Sequence, residues 1–235
     1  MRRILSIAAF GALNTDSYRV FDSWIQKFAK QYYVTATLKC AGPYPNAEGK
    51  SIPGRPLRAE ALKDDNLRKQ LCEAVAADAR ALGKIDMRCM PCMSMIGFHD
   101  GIELALGLPI VRLEDALVEF YWNVPQVGVI HMRPAAARVA EMFGRKAVTP
   151  DEAQAAKLLA AEEQTKAERN AGPVESVMKE ITEAWRDKGI KHVLFARADA
   201  PLARKHIGPI KGVKTDTYFN ILAETVIKQA VSERE

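Results

Sequence analysis

Two cysteines separated by two residues, in the stretch MRCMPCMSMIGFHD, are the first side chains whose type and spacing could do chemistry. A zinc site needs about four ligands, and a single CxxC without a second pair falls short of that number. A redox dithiol has its CxxC at the start of a helix, whereas Cys89 lies inside a predicted strand and Cys92 just after it. We therefore predict neither a metal site nor a redox pair.

Cys92 has the surroundings of a single reactive thiol. It follows Pro91 at the predicted strand end and precedes Ser94, which can cap a helix starting near residue 95. Free amides at such a helix start lower the pKa of a thiol and bind carboxylates. The alternative is that Cys92 is a small apolar residue packed among neighbouring methionines. The spacing alone does not decide between the two interpretations.

Short apolar runs alternate with longer segments of helical periodicity along the chain. Strands are predicted at 3–10, 32–40, 85–91, 108–112, 126–132 and 191–196, and helices at 17–31, 59–82, 135–144 and 151–188. This alternation is typical of parallel sheets covered by helices on both faces. We expect an α/β fold with its ligand site beyond the carboxyl ends of the strands.

The two halves of the chain resemble each other in organisation. A strand leads to MPCMSM and a helix in the first half, and a strand leads to FARADAPL and a basic segment in the second half. We expect two pseudo-symmetric lobes, each a parallel sheet flanked by helices, with the active site in the cleft between them. The first lobe is expected to hold 1–106 with 214–235, and the second to hold 107–213.

The composition favours a globular protein. The chain has 235 residues and a net charge of +5, and its lysines and arginines are scattered among acidic residues. A nucleic-acid partner is not expected, because such proteins usually show a basic stripe or a reading motif. No run is long enough to cross a membrane. The four cysteines are unevenly spread, which favours a reducing cytoplasm.

Several segments spread over nearly the whole chain carry a family resemblance. They are GALNTDSYRVF, IDMRCMPCMSM with GLPIVRLEDALVE, VPQVGVIHMRPAAA, GIKHVLFARADAPL and GVKTDTYFNILAETVIKQA. Together they resemble the aspartate/glutamate racemase superfamily, which also contains hydantoin racemases, maleate isomerases and arylmalonate decarboxylases. The resemblance implies a cofactor-independent enzyme with a small carboxylate substrate, and it suggests a homodimer.

The resemblance also implies roles for residues of the first half. In the family two cysteines flank the α-carbon of the substrate; one removes its proton and the other returns a proton to the opposite face. Cys92 matches the first cysteine, and Met93 and Ser94 follow it in the substrate-binding turn. A further substrate-binding turn is assigned to three residues near the start of the chain, Asn14, Thr15 and Asp16.

The second half departs from the family pattern at the position of the second cysteine. Arg197 stands there, followed by Ala198 and Asp199. An arginine stays protonated at any useful pH and cannot act as the opposite base. Arg197 and Arg133 could instead hold a carboxylate in bidentate fashion, while His131 or Asp199 supplies the second proton. Alternatively, Arg197 pairs with Asp199 and holds the turn, and His131 is a packing residue.

We therefore expect a racemase-like isomerase that acts next to a carboxylate of an acidic amino acid or a related small acid. Cys92 is its main catalytic thiol, Arg197, Asp199 and His131 are its catalytic partners, and Ala198 lies in the substrate turn. Two alternatives stay open: a single-cysteine decarboxylase or cis–trans isomerase of a dicarboxylate, and a non-catalytic protein that binds a small anion. His99 and His206 lie just beyond the two turns, where they can be surface residues.

Overall fold

The computed structural model of the chain describes residues 4–10, 15–41, 58–92, 95–131, 134–168, 172–196 and 209–232. The chain forms two compact units. The first unit comprises Met1–Ala116 and Leu222–Glu235, and the second comprises Leu117–Ile221. The lobe boundaries drawn from the sequence, 1–106 with 214–235 and 107–213, stay a prediction.

The first unit contains a three-stranded parallel sheet in the order β2-β1-β3. Its strands are β1 (Ile4–Phe10), β2 (Thr35–Ala41) and β3 (Met87–Cys89). Its helices are α1 (Thr15–Gln31), α2 (Arg58–Ala61), α3 (Asp65–Ala81) and α4 (His99–Leu106). Strand β1 is the central strand because its apolar sequence ILSIAAF can be buried on both faces of the sheet.

One apolar core lies on the face of this sheet that carries Ala8 and Phe10. It joins these two residues of β1 to side chains of α3 and α4, among them Leu71, Val75, Phe98 and Ile102. Helix α3 begins at an acidic cap, because the carboxylate of Asp64 accepts hydrogen bonds from the amides of Asn66 and Leu67 at 2.8 and 3.0 Å.

The second unit contains a four-stranded parallel sheet in the order β5-β4-β6-β7. Its strands are β4 (Val127–Ile130), β5 (Ala147–Val148), β6 (His192–Phe195) and β7 (Lys214–Thr217). Its helices are α6 (Pro134–Phe143), α7 (Glu152–Glu168) and α8 (Gly172–Asp187). The paired helices α7 and α8 bury Leu158, Met178 and Trp185 together with Val193 and Phe195 of β6.

Two further helices contain the points where the chain passes from one unit to the other. They are α5 (Leu113–Phe120) and α9 (Tyr218–Ser232). The predicted α/β class, with parallel sheets flanked by helices, is confirmed. No helix in the described part of the chain is long and apolar enough to span a bilayer.

Three details of the predicted first half are wrong. The single helix predicted at 59–82 is divided into α2 and α3. Residues 108–112 form a single bridge between Cys89 and Val111 rather than a strand. Pro109 has no amide hydrogen to donate, and the amide of Ile110 donates to the Glu103 carboxylate at 2.8 Å instead of to a strand. The helix predicted from residue 95 begins at His99, because Gly97 has a φ of 91° that interrupts helical backbone.

The packing of α8 on β4 predicts the effect of adding one methyl group. A Cβ atom at Gly128 would lie 2.6 Å from Cζ3 of the buried Trp185 ring and 3.1 Å from Cγ2 of Val193. We expect Gly128→Ala to lower the free energy of unfolding by about 1–3 kcal/mol, measured by urea denaturation. In a Trp185→Leu background the same substitution should cost much less, because the ring is gone. Equal costs in both backgrounds would contradict this packing.

Candidate functional site

In the first unit, the candidate site lies where β1 and β3 end at the same edge of the sheet. These strands are parallel neighbours, with Ile7 opposite Met87 and Ala9 opposite Cys89. After β3 the chain continues through two buried residues to Cys92, which is half-buried. After β1 it continues to α1, which begins at Thr15. Cys92 therefore lies beyond the edge of the sheet at which β1 also ends.

Two successive backbone turns connect Cys92 to α4. The Met95 amide donates to the Cys92 carbonyl at 2.9 Å, and the Phe98 amide donates to the Met95 carbonyl at 3.0 Å. Phe98 is the N-cap of α4 and makes no side-chain capping bond. The side chain of Cys92 packs against the core that contains Phe98 and Ile102. Cys92 thus lies at the border of this core and is half-buried.

The other three cysteines are poor candidates for a thiolate. Burial, reinforced by Asp22, raises the pKa of Cys40 to about 11. Burial also raises the pKa of Cys72 to about 11, against a small opposing effect of Arg68. Cys89 is fully buried in β3, and its pKa is raised further still. None of the four cysteines forms a disulfide, and Cys92 combines partial exposure with a place at the edge of the sheet.

In the second unit, His131 directly follows β4 at the corresponding edge. Strands β4 and β6 are parallel neighbours, and the pairing continues past their ends because the Ala196 amide donates to the Ile130 carbonyl at 2.9 Å. The side chain of His131 is half-buried, and burial lowers its pKa. Its imidazole is therefore neutral at pH 7 and able to accept a proton.

A buried polar network marks the end of β7 in the same unit. The Thr217 amide donates to Oδ1 of Asn220 at 2.7 Å, and Nδ2 of Asn220 donates to Asp216 at 3.1 Å. The hydroxyl of Tyr121 lies 3.4 Å from the other carboxylate oxygen of Asp216. These bonds fix the junction of β7 and α9, so Asp216 is a structural residue in this arrangement.

Sequence reasoning missed a buried contact between a histidine and a carboxylate just beyond Cys92. His99 is 3% exposed rather than a surface residue, and its Nδ1 lies 2.8 Å from Oε1 of Glu114. Glu103 is bonded to Arg112 and to the Ile110 amide, and these bonds lower the pKa of its carboxyl although burial opposes them. Gly107 and Pro109 stand between His99 and Glu114 and interrupt any helix that could join them, so no local pattern signals the pair.

Several predicted site residues lie outside the described residues, and their predicted roles stay predictions. They are Asn14, Met93, Ser94, Arg133, Arg197, Ala198 and Asp199, and for Thr15 and Asp16 the structure describes the backbone alone. The structure therefore describes the side chains of Cys92 and His131 from the predicted set. Among the residues that it covers, no group of three or more histidine, cysteine or acidic side chains could hold a metal ion.

Comparison with known proteins finds similarity in structure rather than in sequence. No protein-family model matches the chain, and no curated protein matches it. An aspartate racemase homologue from Pyrococcus horikoshii superposes with a TM-score of 0.68 at 15% identity, over 98% of this chain and 100% of its own. The allantoin racemase from Klebsiella pneumoniae gives 0.62 at 14% identity, over 97% and 89%.

A third similar structure is the glutamate racemase from Francisella tularensis in complex with D-glutamate. It has a TM-score of 0.57 at 15% identity, over 99% of this chain and 82% of its own. These similarities extend over at least 97% of this chain and at least 82% of each neighbour, so the α/β fold is shared. The fold implied by the sequence resemblance is thereby confirmed, and the chain has the fold of the aspartate and glutamate racemases.

Burial of the other thiols predicts that Cys92 reacts first with an alkylating reagent. The native protein is treated with iodoacetamide at pH 7.5, and each cysteine peptide is quantified by mass spectrometry. Because a raised pKa reduces the thiolate fraction, we expect Cys40, Cys72 and Cys89 to react at least tenfold more slowly than Cys92. A Cys92→Ala control should lose the fast phase. Faster labelling of Cys40 would contradict the assignment.

The depressed pKa of His131 predicts a specific loss of stability in acid. The unfolded chain binds a proton at His131 below about pH 6.5, whereas the folded chain binds it only at lower pH. The contribution of His131 is therefore present at neutral pH and decreases as the pH falls. We expect His131→Gln to flatten the stability profile between pH 7 and pH 5 in urea denaturation. Parallel profiles for the two proteins would contradict this expectation.

Proposed function

We propose that this chain is a cofactor-independent, racemase-like isomerase of the aspartate/glutamate racemase superfamily. Its substrate is an acidic amino acid or a related small acid, and its reaction takes place next to a carboxylate. The observation that carries the proposal is the half-buried thiol of Cys92 at the carboxyl edge of β3, in a chain with the fold of known racemases. In keeping with the resemblance, we also propose a homodimer in the cytoplasm.

The proposed first step is removal of a proton from the carbon next to the substrate carboxylate. Cys92, as thiolate, takes this proton and becomes a thiol, and the electron pair of the broken C–H bond stays on the substrate as a carbanion. The carbanion needs positive charge or hydrogen-bond donors at the adjacent carboxylate. We assign that task to the amides of the two predicted substrate turns and to the guanidinium groups of Arg133 and Arg197.

The proposed second step is return of a proton to the opposite face. Because Arg197 stands where the family has its second cysteine, another group has to carry this proton. We assign it to His131, with Asp199 as the alternative. When Cys92 removes the first proton as a thiolate, His131 has to enter as the imidazolium and donate its proton to the opposite face. In the reverse direction the neutral imidazole takes the proton from the other enantiomer and the Cys92 thiol returns one, and burial that favours neutral His131 supports this direction. The two groups then exchange their protonation states in every turnover.

The experiment that tests the proposal is proton NMR in deuterium oxide. The protein is incubated with the D- and L-forms of aspartate and glutamate and with small dicarboxylates, and the α-proton signal is followed. We expect exchange of the α-proton with at least one acid, and a decrease of about 10²-fold or more in Cys92→Ala. Cys40→Ala removes a half-buried thiol from the same sheet and should exchange at the wild-type rate.

The same spectra separate the roles of the two groups and the alternative functions. His131→Gln should keep exchange with one enantiomer while inversion is lost, because Cys92 still acts on its own face. Inversion at the wild-type rate in this variant would move the second proton to Asp199. Loss of the substrate carboxylate would identify a decarboxylase, and a new olefinic signal would identify a cis–trans isomerase. Retention of every substrate signal across the panel would contradict the proposed enzyme.

A further inference from the structure

The pair formed by His99 and Glu114 lies immediately beyond the turn that carries Cys92. It joins the first residue of α4 to the first turn of α5. The His99 side chain is 4% exposed and the Glu114 side chain 21% exposed. Removing two such groups from water is costly unless each finds a partner. The 2.8 Å bond between Nδ1 and Oε1 is therefore the contact that lets the ring of His99 stay inside the protein.

The second polar atom of each side chain in the pair lacks a hydrogen bond. Among the described residues, neither Nε2 of His99 nor Oε2 of Glu114 has a hydrogen-bond partner. Loss of Glu114 would leave both nitrogens of a buried ring unpaired, and a buried polar group without a partner destabilises its surroundings. The start of α4 then has to move so that the ring reaches water.

Movement at this place would be transmitted to Cys92. The chain from Cys92 to His99 is held by the two backbone turns through Met95 and Phe98, and Phe98 contributes no capping side chain. The thiol itself packs against the core that holds Phe98 and Ile102. The opposite side of the turn is anchored in β3, whose Cys89 pairs with Ala9. A displacement of the start of α4 therefore reaches Cys92 through these backbone bonds and through the core that both share.

We propose that the His99–Glu114 pair is a positioning element for the Cys92 thiol. It acts through the start of α4, so both members are positioning residues rather than catalytic ones. The proposal depends on the proposed function in one respect, that Cys92 is the reactive thiol. Arg112 forms ion pairs with two residues of α4, with Asp100 at 2.7 Å and with Glu103. Neither ion pair involves His99 or Glu114.

The test compares three variants by the rate at which iodoacetamide labels each cysteine of the native protein. Glu114→Leu removes the partner of His99, and Glu114→Gln keeps an oxygen acceptor in its place. Arg112→Leu is the matched control, because it breaks the neighbouring ion pairs of α4 and leaves His99 and Glu114 intact. The fully buried Cys89 reports opening of the whole unit, since it lies inside the sheet.

We expect Glu114→Leu to label Cys92 at least threefold faster than the wild type, because the turn opens locally. Labelling of Cys89 should stay within twofold, and Glu114→Gln and Arg112→Leu should both label Cys92 within twofold of the wild-type rate. An unchanged rate in Glu114→Leu would overturn the proposal. An equal increase at Cys89, or an equal increase in Arg112→Leu, would also overturn it, because the pair would then act through general stability.

This readout does not require turnover, so it is separate from the test of the proposed function. If the NMR panel shows exchange, Glu114→Leu should lower its rate constant at saturating substrate at least fivefold, and Glu114→Gln should restore it to within twofold. If the panel shows no exchange, the proposed function fails while the labelling rates still decide whether the pair positions Cys92.

Discussion

The parallel pairing of β1 with β3 is the constraint on which the candidate site depends. Strand β3 is only three residues long, and it is anchored by Ile7 and Ala9 of β1. The pairing extends before the strand, because the amide of Asp86 donates to Ser6 and its carboxylate accepts from the Ser6 amide, both at 2.8 Å. Val111 adds one bridge on the other side of Cys89. A thiol three residues beyond Cys89 is therefore held at a fixed distance from the sheet.

The sequence predicted best the elements whose apolar residues are contiguous. Strand β1 was expected at 3–10 and is Ile4–Phe10, because an uninterrupted apolar run can be buried on both faces. Strand β7 was not predicted, because KTDT is polar in isolation. Its Asp216 is buried all the same, since Asn220, four residues further on, and Tyr121, 95 residues away in the chain, supply hydrogen bonds. The contact with Tyr121 cannot be found from a local pattern.

In the candidate site, too, some features follow from neighbouring residues in the sequence and others depend on residues that only the fold brings together. Cys92 could be found from the sequence, because a proline, a strand end and a family resemblance all point to it. The buried state of His99 could not, because it depends on Glu114, which the fold brings within 2.8 Å. The segment between them contains Pro109, whose missing amide hydrogen prevents an ordinary strand. The sequence thus points to a candidate thiol more readily than to the contacts around it.

Burial shifts the pKa values of the thiols and of His131 in opposite directions. It raises the pKa of three thiols and lowers that of His131, so both kinds of group favour their neutral forms. In the proposed reaction, Cys92 and His131 would be unlike partners, whereas two cysteines would be equivalent. The enantiomers of an amino acid have equal free energy, so the kcat/KM values of the two directions must be equal whichever groups transfer the proton. Unequal partners can still bind and turn over the two enantiomers differently, because kcat and KM are free to change together. The asymmetry of a thiol and an imidazole would therefore affect the separate constants and leave the equilibrium between the enantiomers unchanged.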